Sequence, residues 1–500
     1  MHRPTAEDDV AADLAAVRPA LLPRFTAELP GARSAVLTRL WRAFAYEPLP
    51  WIRRREAARD GLTLWLADGR RLHGPPSDPY ATGDRVTAVE LDGVPYTRPE
   101  LLTAALGVPH ATGLAAELGH STASLALSRA GQEPPGDAWP EPDREWEWEQ
   151  RVVDGHPYHP NCRSRPGFSV AEQLAYGPEH RPVVRLGLLP VPASECLVSG
   201  AWPGELRDGE RLLLPVHPWQ AAHVLKRGGE PVLAAHPLMA LRTLALPGGG
   251  PQVKTALSTR LTSSVRDMSV GSVRAAAALS AFAEEMAART GGLLRVTRTL
   301  GAVTAGSPDL AALLRESPRV HAGPGERVVP VAALPGTGLP ASPAWLAAFT
   351  RLALGVGLRL LELGVALEAH GQNLLVVLSP EGEPLRLVYR DLADIRVGPA
   401  RLARHGIPLP RLPERILTDD VTALRRKLFG SLVAGALAAT AGSGPALAQA
   451  LAAAVPELPD SPDLAALREE PVPAKALTSM RLTPGHAGDL WTVLPWPSEV

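Results

Sequence analysis

The period of the apolar residues changes twice along this chain, and that change confines it to an α+β fold with more than one core. As far as Leu127, apolar residues recur at three and four spacing, which predicts helices over Ala11–Leu22, Ala35–Phe44, Arg98–Leu106 and Ala111–Leu127. From Pro182 short Val- and Leu-rich runs take over, at 183–191, 211–218 and 252–261, each bounded by Pro or Gly, and these predict strands. A helix is expected over Val273–Arg289 and a Gly- and Pro-rich linker over Ala322–Pro340. Ser342-Pro343 then supplies a cap and first turn for a long helix with Trp345, Phe349, Leu352, Val356 and Leu360 on one stripe. The last hundred residues read as helical. A chain of 500 residues exceeds what one core organises, so three domains are expected: 1–180 mainly helical, 181–335 β-rich, and 336–500 with a hairpin and a helical end.

Composition removes several classes of function. With 45% hydrophobic and 21% charged residues and a net charge of −1, the chain is neither disordered nor basic enough to bind nucleic acid through bulk charge. Two cysteines, Cys162 and Cys196, cannot form a disulfide framework and fit a reducing compartment. The first residues, MHRPTAEDDVAADLAAVRP, lack the apolar centre of a signal peptide, so a cytoplasmic location is expected. The uncharged run Leu428–Pro456 is mostly Ala and Gly and breaks at Gly442–Pro445, which fits two small buried helices better than a membrane span. Only Lys226, Lys254, Lys427 and Lys475 among 51 basic residues are lysines, so each lysine is unusual.

Three segments carry chemistry. The first is Gly155-His156-Pro157-Tyr158-His159-Pro160 with Arg163 and Arg165 just beyond. Two histidines at this spacing lack a third metal ligand. Two readings remain: a stiff loop that grips an anion through His156, His159, Arg163 and Arg165, or a proline-braced loop whose histidines cap backbone groups. The stretch before it, 131–150, dense in Pro, Glu and Trp, reads as a surface loop leading into a helix.

The second segment, 252–266, is read as one strand with Val253, Thr255, Leu257 and Thr259 on one face and Lys254, Ser258, Arg260 and Thr262 on the other. Thr262-Ser263-Ser264 would turn the chain and offer hydroxyls and amides to an anion, with Arg266 following and Arg242 upstream as a further cation. The third segment ends the long helix at Glu368-Ala369-His370-Gly371-Gln372-Asn373. It continues as a hairpin of 374–378 and 385–389 about the turn Ser379–Pro384, and closes on Arg390-Asp391. That pairing sets Asn373 opposite Arg390 and beside Asp391, so amide and carboxylate oxygens meet at one hairpin end, as a Mg²⁺-nucleotide site requires. Glu368 and His370 share a face only where the helix has given way near Ala369.

Together these segments resemble one family, the ATP-dependent siderophore synthetases that work without a peptide-synthetase assembly line, the aerobactin-synthetase-like IucA/IucC family. Its GHPxHPxxKxRxGFS hallmark is similar to Gly155–Ser169, with Arg163 in the lysine position. Its Lys, its Thr-Ser eight residues on and its Arg resemble Lys254, Thr262, Ser263 and Arg266, and its EAHxQN and RD resemble Glu368–Asn373 and Arg390-Asp391. PVHPWQ at Pro215–Gln220 and KALxxMRL at Lys475–Leu482 also match, so the resemblance runs from about residue 110 to the C-terminus. Ala240 stands where the family often has Ser.

The resemblance implies a hand-like α+β architecture of helical thumb, β-rich fingers and palm. It implies ATP and Mg²⁺ as cofactors and small-molecule partners, a carboxylic acid and an amine or hydroxylamine. The acid would be citrate, a citryl monoamide or a succinyl-type acid. It also implies a homodimer, with neither membrane nor nucleic acid as partner. The acid would be adenylated, releasing pyrophosphate, and the amine would displace AMP. By the same resemblance Lys254, Arg266 and His370 would be catalytic. ATP would be held by Arg242, Lys254, Thr262, Ser263, Arg266, His156, His159, Arg163, Arg165 and Asn373. The substrate carboxylate would meet Ser263, Arg266, His370, Lys475 and Arg481, and the metal Glu368, Asn373 and Asp391. Rival readings are a kinase-like phosphotransferase, which would release ADP, and a non-catalytic paralogue that binds a carboxylate or a partner.

Overall fold

A computed structural model of the chain describes residues 5–132, 138–261, 264–486 and 488–499. The expected turn residues Thr262 and Ser263 lie outside them. In the N-terminal region four helices form, Ala6–Val17, Leu22–Tyr46, Pro99–Leu106 and Ala111–Ala130. Thr5 and Asp8 start the first through a reciprocal capping box, which explains why it begins earlier than apolar spacing alone indicated. The helix expected at Ala35–Phe44 is the second half of a 25-residue helix that carries Pro30 inside it.

Between the second and third helices lies a five-stranded antiparallel meander, Ile52–Ala58 to Val94–Tyr96, which the sequence reading did not contain. Its first strand, IRRREAA, buries only Ile52, so the two-residue alternation that betrays a strand is missing. Trp41, Phe44, Leu64, Leu72, Leu118 and Leu125 belong to the core shared by helices and meander.

The middle region is a nine-stranded antiparallel sheet whose centre runs Leu310–Arg315, Gln252–Thr255, Thr243–Ala245, Glu230–Pro237, Val184–Pro192. Here one expectation fails. The run 252–261 is two strands: Gln252–Thr255 stays in the large sheet, while Leu257–Leu261 leaves it to pair with Ser264–Arg266. Ala256 sits at the break, its amide donating to the Ala311 carbonyl. Ser258 is drawn to Asp309 at 2.5 Å and Arg260 is exposed, so Lys254 does not share a cationic face with them.

The largest core belongs to the C-terminal region. The helix Pro343–Leu363 starts at the expected Ser342 cap and ends at Gly364, whose φ of 104° breaks it four residues before Glu368 rather than at the Glu368–Asn373 segment. It is the one helix among the described residues long and apolar enough to cross a membrane, and Trp345, Phe349, Leu354, Val356, Leu360 and Leu361 bury it in the core. The segment expected as a linker contributes Arg327–Pro330, an edge strand of a four-stranded sheet with the hairpin strands Leu374–Leu378 and Pro384–Tyr389. Leu294–Val296 completes that sheet, parallel to Pro384–Tyr389. After Val421–Ala441 the chain bends by 114° into Gly444–Glu457, at the Gly442–Pro445 break the sequence marks.

Long-range hydrogen bonds tie the first region to the last. Buried Glu47 accepts the amides of Thr478 and Ser479 at 3.1 and 2.7 Å. The Tyr80 hydroxyl donates to the Pro495 carbonyl at 2.6 Å, and the Thr492 hydroxyl to that of Tyr46 at 2.5 Å.

Candidate active site

The three regions enclose a cleft of about 1690 Å³. That exceeds the roughly 300–1,000 Å³ usual for one small ligand and gives room for a nucleotide beside a second substrate. Into it point the HPYHP loop, the turn at Ala240–Arg242, Lys254, Arg266, the segment Glu368–Asn373, Asp391, Lys427, Lys475 and Arg481.

The HPYHP loop is rigid for reasons visible atom by atom. Gly155 has φ of 70°, and a Cβ there would lie 2.4 Å from the Cys162 carbonyl oxygen. His156 Nδ1 accepts the amides of Tyr158 and His159, both at 3.1 Å, and His159 Nδ1 accepts that of Asn161 at 3.0 Å. These bonds set the tautomer, leaving Nε2–H as the donor of each ring. Burial holds both rings below the usual histidine range, His159 at about 3, so both are neutral. Nε2 of His159 has no partner among the described residues. From the long N-terminal helix, Arg39 donates to the His156 carbonyl and Arg42 stacks over Tyr158 at 4.4 Å.

Arg163 and Arg165 do not form the free anion grip that was expected. Arg163 donates to the carbonyls of Val153, at 2.5 Å, and Val152. Arg165 closes a two-bond pair on Glu179 at 2.7 and 2.9 Å, and Glu179 is fully buried. Their guanidinium donors are spent on protein acceptors, so these residues brace the loop instead of presenting charge to a ligand. Arg242, too, is turned to backbone: it donates to the carbonyls of Arg266 and Asp267, fixing the ribbon that carries Arg266.

Lys254 donates to both carboxylate oxygens of Asp391, at 2.8 and 2.9 Å. Burial lowers the lysine to about 8, while Asp391 is held well below the ordinary carboxylate range against its own burial, first by Lys254. Asp391 has φ of 71°, a left-handed conformation uncommon for a residue with a side chain and found where a site requires it. The Arg390 amide donates to the Asn373 carbonyl at 3.0 Å, which is the register the hairpin reading requires. Arg390 itself faces away from the cleft cations, in a buried pair with Glu149 at 2.6 Å.

Joined to the Asp391 segment through the Tyr389 hydroxyl, Glu368 accepts at Oε1 from Lys427 at 2.9 Å and Lys475 at 3.0 Å. Burial alone would raise Glu368, yet Lys475 and Lys427 hold it at about 2. His370, two residues on, accepts the Gln372 amide at Nδ1 and is kept neutral by burial. Arg481 is paired with Glu117, which also accepts from Asn161 at 2.6 Å.

Among the described residues no group of three His, Cys, Asp or Glu side chains could hold a metal. The expected magnesium set has only two carboxylates, Glu368 and Asp391, with the Asn373 amide. Both acids are ionised, so the set fits a cation that takes its remaining ligands from phosphate and water.

This fold has solved counterparts. Residues 145–336 match the IucA / IucC family, and residues 343–490 match the ferric iron reductase FhuF-like transporter family. The structure is similar to the petrobactin biosynthesis protein AsbB of Bacillus anthracis, with a TM-score of 0.79 at 18% identity, covering 96% of this chain and 98% of that one. It is also similar to ATP-bound aerobactin synthetase IucA of Klebsiella pneumoniae, with a TM-score of 0.70 at 18% identity over 93% and 99% of the two chains.

Over residues 145–336 this chain is similar to the IucA/IucC family, and it shares the fold of that family's solved members. It is 26% identical over 320 residues to the citryl-spermidine/3,4-dihydroxybenzoyl-citryl-spermidine:spermidine ligase of Bacillus anthracis, 50% of this chain and 51% of that protein. It is 28% identical over 159 residues to the N(2)-citryl-N(6)-acetyl-N(6)-hydroxylysine synthase of Vibrio mimicus, 24% and 26% of the two chains. The match to the first of these spans about half its length. Within the IucA/IucC frame, the departure at Arg163 has a physical account: a guanidinium reaches the Val152 and Val153 carbonyls together, which one ammonium group does less well.

Sequence reasoning gave no role to Lys427 or Glu149. Lysine rarity signalled the first. Glu149, which also accepts the Met239 amide at 3.0 Å beside Ala240, lies in a Trp- and Glu-rich helix whose partners are set only by the tertiary fold.

Proposed function

We propose that this protein is an ATP-dependent siderophore synthetase that joins a carboxylic acid to an amine or hydroxylamine through an acyl adenylate. The observation that carries this reading is one cleft lined by two lysine-bearing clusters, Lys254 with Arg266 and Lys475 with Lys427, which suits two anions brought together. Names of relatives, a citryl-spermidine ligase and an ATP-bound synthetase, support citrate-type acids and ATP. Thumb, fingers and palm are assigned to residues 1–180, 181–335 and 336–500, although the largest core, mainly in the last, also takes in Leu279, Phe282, Leu294 and Val329 from the second.

The acid carboxylate oxygen attacks the α-phosphorus, pyrophosphate leaves, and the amine nitrogen then attacks the acyl carbon, expelling AMP and losing a proton. Arg266 and Lys254 lower the repulsion between carboxylate and phosphates. Neutral His370 donates from Nε2 to the carboxylate, and Lys475 pairs with it. When bound, magnesium on Asp391, Asn373 and Glu368 oxygens would neutralise charge on the departing pyrophosphate.

The test is a panel of citrate, citryl monoamides and succinyl-type acids with polyamines and hydroxylated diamines, supplied with Mg-ATP and read by pyrophosphate and AMP. Acid-dependent release of both is expected. ADP and phosphate as sole products would identify a phosphotransferase and end this proposal.

A further inference from the structure

Lysine is so scarce in this chain that its placement carries information. Three of the four lysines, Lys254, Lys427 and Lys475, line the cleft. A lysine offers one compact, swivelling charge where arginine fixes a planar fork, so lysine suits an ion pair that must open during a reaction. The Glu368 wall uses two of them on a single oxygen. Lys427 reaches it from within, with 5% of its side chain exposed, whereas Lys475 is 30% exposed and also touches Asp489 at 3.1 Å.

We propose that Lys427 is a positioning residue, the standing counter-ion of Glu368, which releases Lys475 to meet the substrate acid. If Lys475 were the only partner, its departure would strand a buried carboxylate, and such a loss is strongly resisted. With Lys427 in place the carboxylate stays compensated while Lys475 turns. The scaffold keeps Lys427 where it is needed. Its helix, Val421–Ser431, is clamped to the Glu368 segment by the Ser431 hydroxyl, which takes the Ala369 amide at 2.9 Å. Lys475, in contrast, closes a strand immediately before the short helix Leu477–Leu482. The role assigned to Lys475 rests on the function proposed above, but the exchange of partners is measurable without any substrate.

Limited acetylation read by mass spectrometry reports each of four lysines separately, with exposed Lys226 as internal reference. In Lys427→Met, Lys475 becomes the sole ion-pair partner of Glu368 among the described residues, and its labelling relative to Lys226 should fall about three-fold, the scale of one part-exposed ion pair. Lys427→Arg should restore it. Glu368→Gln, alone or combined with Lys427→Met, should raise labelling above wild type, which keeps the test open if Lys427→Met does not fold. Unchanged Lys475 labelling in folded Lys427→Met, or in Glu368→Gln, overturns the proposal. In turnover, Lys427→Met should raise KM for the acid and leave KM for ATP unchanged. Absence of any active acid would count against the ligase reading and leave the labelling result standing.

Discussion

Replacing Lys254 with methionine separates a charge used in chemistry from a charge used in folding. The side chain is 12% exposed and its carboxylate partner, Asp391, is 38% exposed. Breaking a fully buried pair costs about 3–5 kcal/mol, but water reaches Asp391, and Arg315 and Arg242 remain near it, which reduces the expected stability loss to about 1–2 kcal/mol. In the proposed reaction the same charge would face substrate phosphates, and removing one such group costs about 3 kcal/mol, or roughly a hundred-fold in rate. Urea unfolding and acid-dependent pyrophosphate exchange should therefore diverge. The pH dependences diverge as well. Burial places Lys254 at about 8, below its usual 10.5. The unfolded chain then holds that proton longer, so the lysine's share of stability rises between about pH 8 and 10.5 and is lost as pH falls through 8. Activity should instead decline above pH 8 as the cation disappears. A folded Lys254→Met enzyme with turnover near wild type, or one whose activity loss only tracks its unfolding, would refute the reasoning.

Arg165→Met should destabilise the protein by about 3–5 kcal/mol, because Glu179 is buried and loses its two-bond partner, and should leave KM for ATP unchanged in the folded fraction. Chemical denaturation with ATP kinetics checks both; a raised KM without destabilisation would restore Arg165 to the ligand. Glu47 is raised by burial to about 7 from 4.5, so its contribution is full below about pH 4.5 and is lost as pH rises through 7. Glu47→Gln should flatten that slope, gaining about 1–3 kcal/mol over wild type at pH 8. Melting curves from pH 5 to 8 that run parallel for the two proteins would contradict it.

The parts of this molecule governed by local chemistry were legible in its sequence. Ser342-Pro343 starts a helix, Ser379–Pro384 turns a hairpin, and the register that places Arg390 against Asn373 follows from the turn. What escaped depends on partners distant in the chain. The meander at 52–96 was invisible because its edge strand shows water an unbroken run of charge. The break at Ala256 is imposed by the neighbouring Ala311 carbonyl, and nothing in QVKTALSTRL announces it. At the site, the residue types were readable but their occupations were not: Arg163 and Arg165 have the composition of an anion grip and are consumed by carbonyls and Glu179. Lys427 was visible only as a rarity.

The bonds from Tyr46, Glu47 and Tyr80 to residues 478–495 also set the order in which the molecule can be finished. Glu47 waits for amides 431 and 432 positions further along, so until that stretch has been synthesised and docked its buried carboxylate has no backbone donors. Contacts of such separation are the slow ones to form. The part of the cleft lining that carries Lys475 and Arg481 sits on this late-arriving stretch, so the cleft is completed only at the last closure of the chain. A fragment ending before it, however well its own core packs, would hold a half-built pocket and an unanswered charge.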